Sequence, residues 1–309
     1  MTEWIKVKLD ESNNVVETWE PKYTIFGYGF VGLVDFMGDD SSIVRAARVS
    51  YGKGTKKTNS DEALIRYLMR YQHNTPFEMV KFTFHVKAPI FVFRQWHRHR
   101  TASINEYSAR YSEMSDEMYV PHLADMAPQA TSNKQGRTNQ VSGSAIQHQN
   151  TIEEAYEYAF DAYQKLLNKD NPEQGLSREL ARLVLPVATY SQMYWSVDLR
   201  NLFHFIKLRS DPHAQKEIRV YSDAMLELIK PIVPVAAQAF LDYSKNAVTF
   251  SAAEIDVLRQ YMEIIYNEER DGCWSKVDYS EMKPKLKEAG LSEREISDFI
   301  KKMEGGNHD

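Results

Sequence analysis

A single cysteine, Cys273, stands in this 309-residue chain. One thiol cannot close an intramolecular disulfide, and the scarcity fits a reducing compartment, so cytoplasmic residence is expected. Long apolar runs are missing too. No stretch approaches the roughly 18–20 apolar residues of a membrane-spanning helix. The opening MTEWIKVKLDESNN is charged throughout and lacks the apolar core of a signal peptide. With 13 Gly and 11 Pro there is no collagen-like or low-complexity bias, and no internal repeat is evident. Positive charge is in deficit, 38 Lys and Arg against 43 Asp and Glu, for a formal net charge of −5. That balance argues against a dedicated nucleic-acid binder. What remains is an ordinary globular composition, 43% apolar with 18 Tyr and 5 Trp, enough for one large domain or two modest ones.

Local patterning gives an α+β reading: a mainly antiparallel sheet flanked by helices, with a helical C-terminal extension. Ile5, Val7 and Leu9 alternate with charged residues as in a strand, Asn13-Asn14 reads as a turn, and Val15–Trp19 as the hairpin partner. Gly27, Gly29 and Gly32 have GxGxxG spacing. Gly38-Asp39-Asp40 interrupts too soon for the helix a dinucleotide-binding turn needs, so Tyr23–Gly38 reads as a strand with turn glycines. Asp39 or Asp40 caps a helix through Ala47, and Ser60 caps one carrying Leu64, Tyr67, Leu68 and Tyr71. Pro76 ends that region, and Phe82, Phe84 and Val86 then alternate with polar residues as a strand. Pro89 opens a short helix. Residues 98–112 have no clean period and read as a loop. Residues 127–150 are polar and read as a flexible insertion. Thr151 and Glu154 form a capping box for a helix to Leu167, and Ser177 caps another through Leu185. Thr189–Val197 reads as a strand, Asp198 caps a helix through Lys207, and Asp211-Pro212 starts a long helix kinked at Pro231 and Pro234. Ser251/Glu254 and Ser292/Glu295 are further capping boxes. Residues 1–245 are expected to be one catalytic domain and 246–309 a helical appendix.

The chemistry concentrates in RHRTASINEYSARYS, Arg98 to Ser112. Three arginines (Arg98, Arg100, Arg110) face one carboxylate, Glu106, in an otherwise acidic chain. A local cationic pocket of this kind suits a small anion, and arginine forks match phosphate oxygens. Two rival readings attach to the same stretch. His97-x-His99, with His73 and His85, has the look of a metal-ligand set, although three adjacent arginines disfavour a divalent cation. Arginines among aromatics would also serve a nucleotide- or RNA-binding module.

The stretch resembles the signature of the flavin-dependent thymidylate synthases, RHRxxSxNExSxRYS, and meets it at Arg98, His99, Arg100, Ser103, Asn105, Glu106, Ser108, Arg110, Tyr111 and Ser112. Similarity also covers RAARVS ending at Ser50, HNTPFE from His73, FTFHVKAPIFVFRQW from Phe82, and LRNLFHFIKLRSDPHAQ from Leu199. The resemblance implies methylation of dUMP to dTMP, with methylenetetrahydrofolate as carbon donor, FAD as hydride carrier and NADPH as reductant. It implies a homotetramer with sites where subunits meet. It places FAD against Ser50, His73, Thr75, Glu78, Arg98, His99, Arg100, Glu106, Arg200 and His204, and dUMP against Gln95, Arg98, Glu106, Tyr107, Ser108, Ala109, Arg110, Arg182 and Arg209. No metal is implied. Asp198 and His204 stand where some relatives carry Asn.

The chemistry makes sense beside that resemblance. Carbon 5 of uracil is a poor nucleophile, and the only thiol, Cys273, is far in sequence from every site segment. The remaining route stabilises negative charge on the pyrimidine, which a guanidinium can do without acting as a base; the resemblance gives that part to Arg209. Ser108 has no evident activating base, so a phosphate hydrogen bond suits it better than nucleophilic attack. Glu106 could equally pair with a neighbouring arginine. Arg178 reads as a solvated helix residue, and His97 as helix-end packing.

Overall fold

The computed structural model describes residues 3–5, 20–49, 60–131, 134–258, 282–288 and 293–303. The chain divides into two compact units, Met1–Lys245 and Asn246–Asp309. The first is built on a six-stranded sheet, every described pairing antiparallel, in the order β1-β2-β3-β4-β6-β5. Its strands are β1 (Glu3–Ile5), β2 (Glu20–Ile25), β3 (Gly29–Met37), β4 (Lys81–Pro89), β5 (Ser103–Glu106) and β6 (Tyr190–Asp198). Its helices are α1 (Asp40–Arg48), α2 (Asp61–Arg70), α3 (Ile90–Trp96), α4 (Ala145–Leu167), α5 (Arg178–Ala181), α6 (Leu199–Arg209), α7 (Lys216–Ile229) and α8 (Pro234–Phe240). The expected α+β class, an antiparallel sheet with flanking helices, is what forms.

Alternation explains the centre of the sheet. Phe82, Phe84 and Val86 of β4 lie opposite Val197, Trp195 and Met193 of β6, and all six side chains are buried on one face. Helices α6 and α7 close that face with Phe205, Ile206, Tyr221 and Met225. Four large rings meet there: Trp96 lies 4.7 Å from Phe205, 5.4 Å from Trp195 and 6.0 Å from Tyr221. Burying rings of this size is the largest favourable contribution a core can draw on. It fixes α3, β6, α6 and α7 against one another, and Arg209 lies at the end of α6.

The glycine pattern is structural. Gly27 turns with φ +72°, while Gly29 lies in β3, where a Cβ would come within 2.3 Å of the Tyr221 hydroxyl and 2.5 Å of the Ile25 carbonyl. Only glycine allows that approach, through which the Tyr221 hydroxyl donates to the Lys87 carbonyl at 2.8 Å.

Several boundaries differ from the sequence reading. Residues 103–106 of the arginine stretch are strand β5, pairing with β6 from Ser103↔Ser196 to Glu106↔Met193, rather than loop. All four residues are exposed, so no alternation announces the strand. Helix α4 starts at Ala145, placing Thr151 inside it, its hydroxyl donating to the Gln147 carbonyl at 2.8 Å. Asp211 does not start α7. Its carboxylate accepts from the His213 backbone N–H at 2.8 Å, and the helix begins at Lys216. The long helix is broken rather than kinked, α7 ending at Ile229 and α8 starting with Pro234. Helix α6 runs to Arg209, two residues beyond Lys207. In the second unit the Ser251/Glu254 capping box forms, at 2.6 and 3.3 Å, ahead of a helical segment 252–258. Helices Lys283–Glu288 and Glu293–Met303 contribute Leu286, Ile296 and Phe299 to that unit's own core. Residues 15–19, the Asn13-Asn14 turn, Ser50, Cys273 and the Ser292 cap lie outside the described residues.

Candidate active site

One half of the site forms where the C-terminus of α6 meets the end of α3. Arg209, in the last turn of α6, donates from Nε to Nε2 of His99 at 3.0 Å and from one terminal nitrogen to the Gln95 carbonyl at 3.1 Å. His99 must therefore be neutral, with its proton on Nδ1. Burial does most to keep it so, helped by the charges of Arg209 and His204; together they hold the imidazole down at about 4 against an ordinary 6.5. Behind it sits Phe205 at 4.9 Å edge-on, with His204 at 5.9 Å. Burial also lowers the Arg209 guanidinium, but from so high an ordinary value that it stays cationic at neutral pH. The other terminal nitrogen of Arg209 has no protein partner among the described residues and is available to a ligand.

The second half lies at the end of β5. Glu106 accepts from the Ser191 hydroxyl at 2.9 Å and lies 3.7 Å from His97, so it pairs with a serine and a histidine rather than an arginine. Tyr107 is fixed by its backbone N–H to the Gln192 carbonyl, 2.8 Å, and by its hydroxyl to the Glu113 carbonyl, 2.6 Å. Ser108 then starts a tight turn. Its carbonyl accepts from the backbone of Tyr111 and Ser112, Ala109 is buried, and Arg110 projects outward. The Arg110 Nε reaches Oε2 of Glu179 at 3.0 Å, while the backbone carbonyl of Glu179 accepts from Arg182 at 3.3 Å. A single residue of α5 thus gathers two of the four arginines expected at the nucleotide, Arg110 and Arg182.

A cleft of about 600 Å³ opens beside them, lined by Arg110, Arg178, Lys169, Ser177, Glu113 and Glu179 among others. Arg178 is an exposed helix residue, as expected, and it also lines this cleft and donates to the Tyr111 carbonyl at 3.2 Å. Its spacing of four from Arg182 on one helical stretch was the signal available in the sequence. Glu179, which holds Arg110, and Gln215, which accepts from the Gln95 side chain, were not singled out either.

Residues 32–235 match the family model described as thymidylate synthase complementing protein. A flavin-dependent thymidylate synthase of Gluconobacter oxydans is 48% identical over 261 residues, covering 84% of this chain and 86% of that protein. One from Treponema denticola is 43% identical over 289 residues, covering 93% and 98%. Among solved structures, a UMP/dUMP methylase PolB from Streptomyces cacaoi bound with 5-Br UMP is 39% identical, with a TM-score of 0.63 over 70% of this chain and 95% of that one. The chain belongs to the flavin-dependent thymidylate synthase family. It methylates dUMP to dTMP, with methylenetetrahydrofolate as carbon donor, FAD as hydride carrier and NADPH as reductant.

The side chains present fit the flavin of such a synthase. Arg98, Arg100 and Arg200 are exposed and form no ion pair among the described residues, leaving three cations to meet a diphosphate. The Asp198 carboxylate caps α6, accepting from the backbone and side-chain nitrogens of Asn201 at 2.9 and 2.7 Å. Its charge is engaged locally. His73 is exposed against the Tyr67 ring, and Thr75 and Glu78 lie on the short 3-10 helix Thr75–Met79. His97 and His99 face different neighbours, Phe93 and Glu106 for the first, Phe205 and Arg209 for the second. The sequence-expected residues thus fall into an Arg209–His99–Gln95 group, a Glu106 group and an Arg110–Arg182 group. Among the described residues no hydrogen bond or ion pair joins the first to the third.

Proposed function

We propose that Arg209 is the catalytic residue, acting as an electrostatic clamp on the pyrimidine. A uracil ring that carries negative charge has enamine-like character at carbon 5 and can attack the folate-borne carbon. The observation that supports this reading is the tethering of Arg209. His99 holds its Nε and the Gln95 carbonyl holds one terminal nitrogen, so the guanidinium approaches a ligand at a fixed angle. Preorganised charge in a partly dry site counts for more than the same charge in water. No thiol is required, since the one cysteine, Cys273, lies outside every segment of the site.

In this reading Arg110 and Arg182 hold the nucleotide phosphate together with Ser108, and Gln95, Arg98, Glu106, Tyr107 and Ala109 line its sugar and base. FAD is held by Arg98, His99, Arg100, Glu106, Arg200 and His204 with His73, Thr75 and Glu78, and with Ser50. Residues 1–245 are the catalytic domain. The working form is a cytoplasmic homotetramer with each site at a subunit interface, which suits a chain whose arginine groups are not joined within one copy. No helix among the described residues is long and apolar enough to cross a membrane.

Arg209→Lys tests the clamp. A lysine keeps the charge but lacks the planar fork that holds His99 and the Gln95 carbonyl while presenting a further nitrogen to the ligand. Turnover should fall about a hundredfold with dUMP affinity little changed, the scale seen when one preorganised donor is removed. Undiminished turnover removes Arg209 from the mechanism. Cys273→Ser should retain activity, and its abolition would point to a thiol route.

A further inference from the structure

The polar insertion 127–150 is anchored to the same helix that follows the catalytic arginine. The anchor is a buried charge. Glu217, in the first turn of α7, has its side chain 3% exposed. Its Oε1 accepts from the Tyr119 hydroxyl at 2.9 Å and from Arg137 of the insertion at 3.1 Å. Its other oxygen is buried without a hydrogen bond. Lys216, beside it, pairs with Asp125, which also lies 3.9 Å from Arg137. A carboxylate this deep is tolerable only with a cation at hand, and Arg137 is the nearest one on it.

The insertion presents Arg137 on a local frame. Ala130 and Thr138 donate backbone N–H groups to the carbonyls of Gly136 and Pro128, at 2.9 and 2.8 Å, and Ser142 donates to Met126 at 2.8 Å. On the far side of α7's start, Gln215 is the cap residue, and its side-chain oxygen accepts from the Gln95 side chain. The Gln95 carbonyl in turn accepts from Arg209. Polar contacts therefore join Arg137 to Glu217 and Gln215 through Gln95 to Arg209, and the backbone at the start of α7 connects the two sets.

We propose that Arg137 is a positioning residue for the reaction: by pinning the first turn of α7 through Glu217, the insertion braces Gln215 and Gln95 and so sets the angle at which Arg209 meets the pyrimidine. This rests on the reading of Arg209 as the catalytic clamp. Arg137, Glu217 and Gln215 are not among the residues placed against nucleotide or flavin, so their loss shows in turnover rather than in binding.

The test uses full-length, FAD-loaded enzyme. Kinetic constants are measured together with dUMP affinity by calorimetry and the thermal midpoint. Arg137→Ala alone leaves a buried carboxylate without its cation, so the charge-balanced pair Arg137→Ala/Glu217→Gln is measured alongside it. Both are expected to bind dUMP within about threefold of the parent and to lose about tenfold in kcat. Gln215→Ala should lose a similar factor, and adding it to the balanced pair should cost little more, because groups on one path are not additive. A balanced pair with parental kcat and only a lower thermal midpoint makes Arg137 structural and overturns the proposal. So does full additivity with Gln215→Ala. Arg209→Lys in the same series separates the two readings. If it turns over normally, the clamp itself fails; if it is impaired while the Arg137 variants are not, only the brace fails.

Discussion

His99 shows how much a single protonation state can carry. It accepts from Arg209, so it cannot also be protonated at that nitrogen, and its folded-state value of about 4 lies below the ordinary 6.5. The unfolded chain therefore binds a proton at His99 before the folded chain does. Stability rises with pH wherever the unfolded state holds more protons. The contribution of His99 is thus complete above about pH 6.5 and is lost as pH falls toward 4. Arg209 and His204 face it from α6 and Phe205 lines its far side, and among the described residues no acid offsets the effect. Comparing urea midpoints of the parent and His99→Gln at pH 7.5 and 4.5 checks this. The parent should lose more stability across the interval than the variant; equal losses would show that His99 titrates normally. The family resemblance gives His99 a role only as a contact of FAD. Its partner, 110 residues away, was invisible until the end of α6 met the end of α3.

Elements with a clear burial period are legible in the sequence, and those held by polar or edge contacts are not. Strand β4 alternates buried and more exposed residues from Lys81 to Ala88, and α2 places Leu64 and Leu68 inward as their spacing suggests, but Ile65 is buried with them while Tyr67 and Tyr71 stay exposed. Strand β5 exposes all four of its residues at the sheet edge and offers no period to detect. Asp211-Pro212 looks like a helix start because Asp favours caps, but here Asp closes a local turn on His213. Asp40 is the converse case. It sits in the first turn of α1, yet its two carboxylate oxygens accept from the backbone N–H groups of Val235 and Ala236 at 2.8 and 3.0 Å. Helix α8 has no side-chain cap of its own, so a residue 195 positions earlier in the chain caps it. Asp40→Ala should cost about 1–2 kcal/mol in equilibrium unfolding, as cap deletions do, with Asp40→Asn intermediate. A loss below about 0.3 kcal/mol, the noise of ordinary surface changes, would show that α8 holds its own start.

In the proposed homotetramer, the arrangement between copies decides whether the two arginine groups meet. Within one chain Arg110 and Arg182 are gathered by Glu179 at α5, while Arg209 and His99 are gathered at the end of α6, and no bond joins the sets among the described residues. Leu176, Leu180, Leu183, Val184 and Val187, close in sequence to Arg182, are exposed apolar side chains. A nucleotide that needs both sets is then best served by two copies of the chain. The consequence is measurable with two inactive variants. Arg110→Ala supplies an intact Arg209, and Arg209→Ala supplies an intact Arg110. Refolded together in equal amounts, they form mixed symmetric oligomers. Random pairing makes about a quarter of the sites complete if each site draws one residue from each of two chains. Activity recovered to about that fraction, from two preparations that are inactive alone, supports shared sites. If mixing restores nothing while the variants demonstrably co-assemble, both arginines belong to one chain, and the separation seen within a copy must be closed by movement of α5 instead.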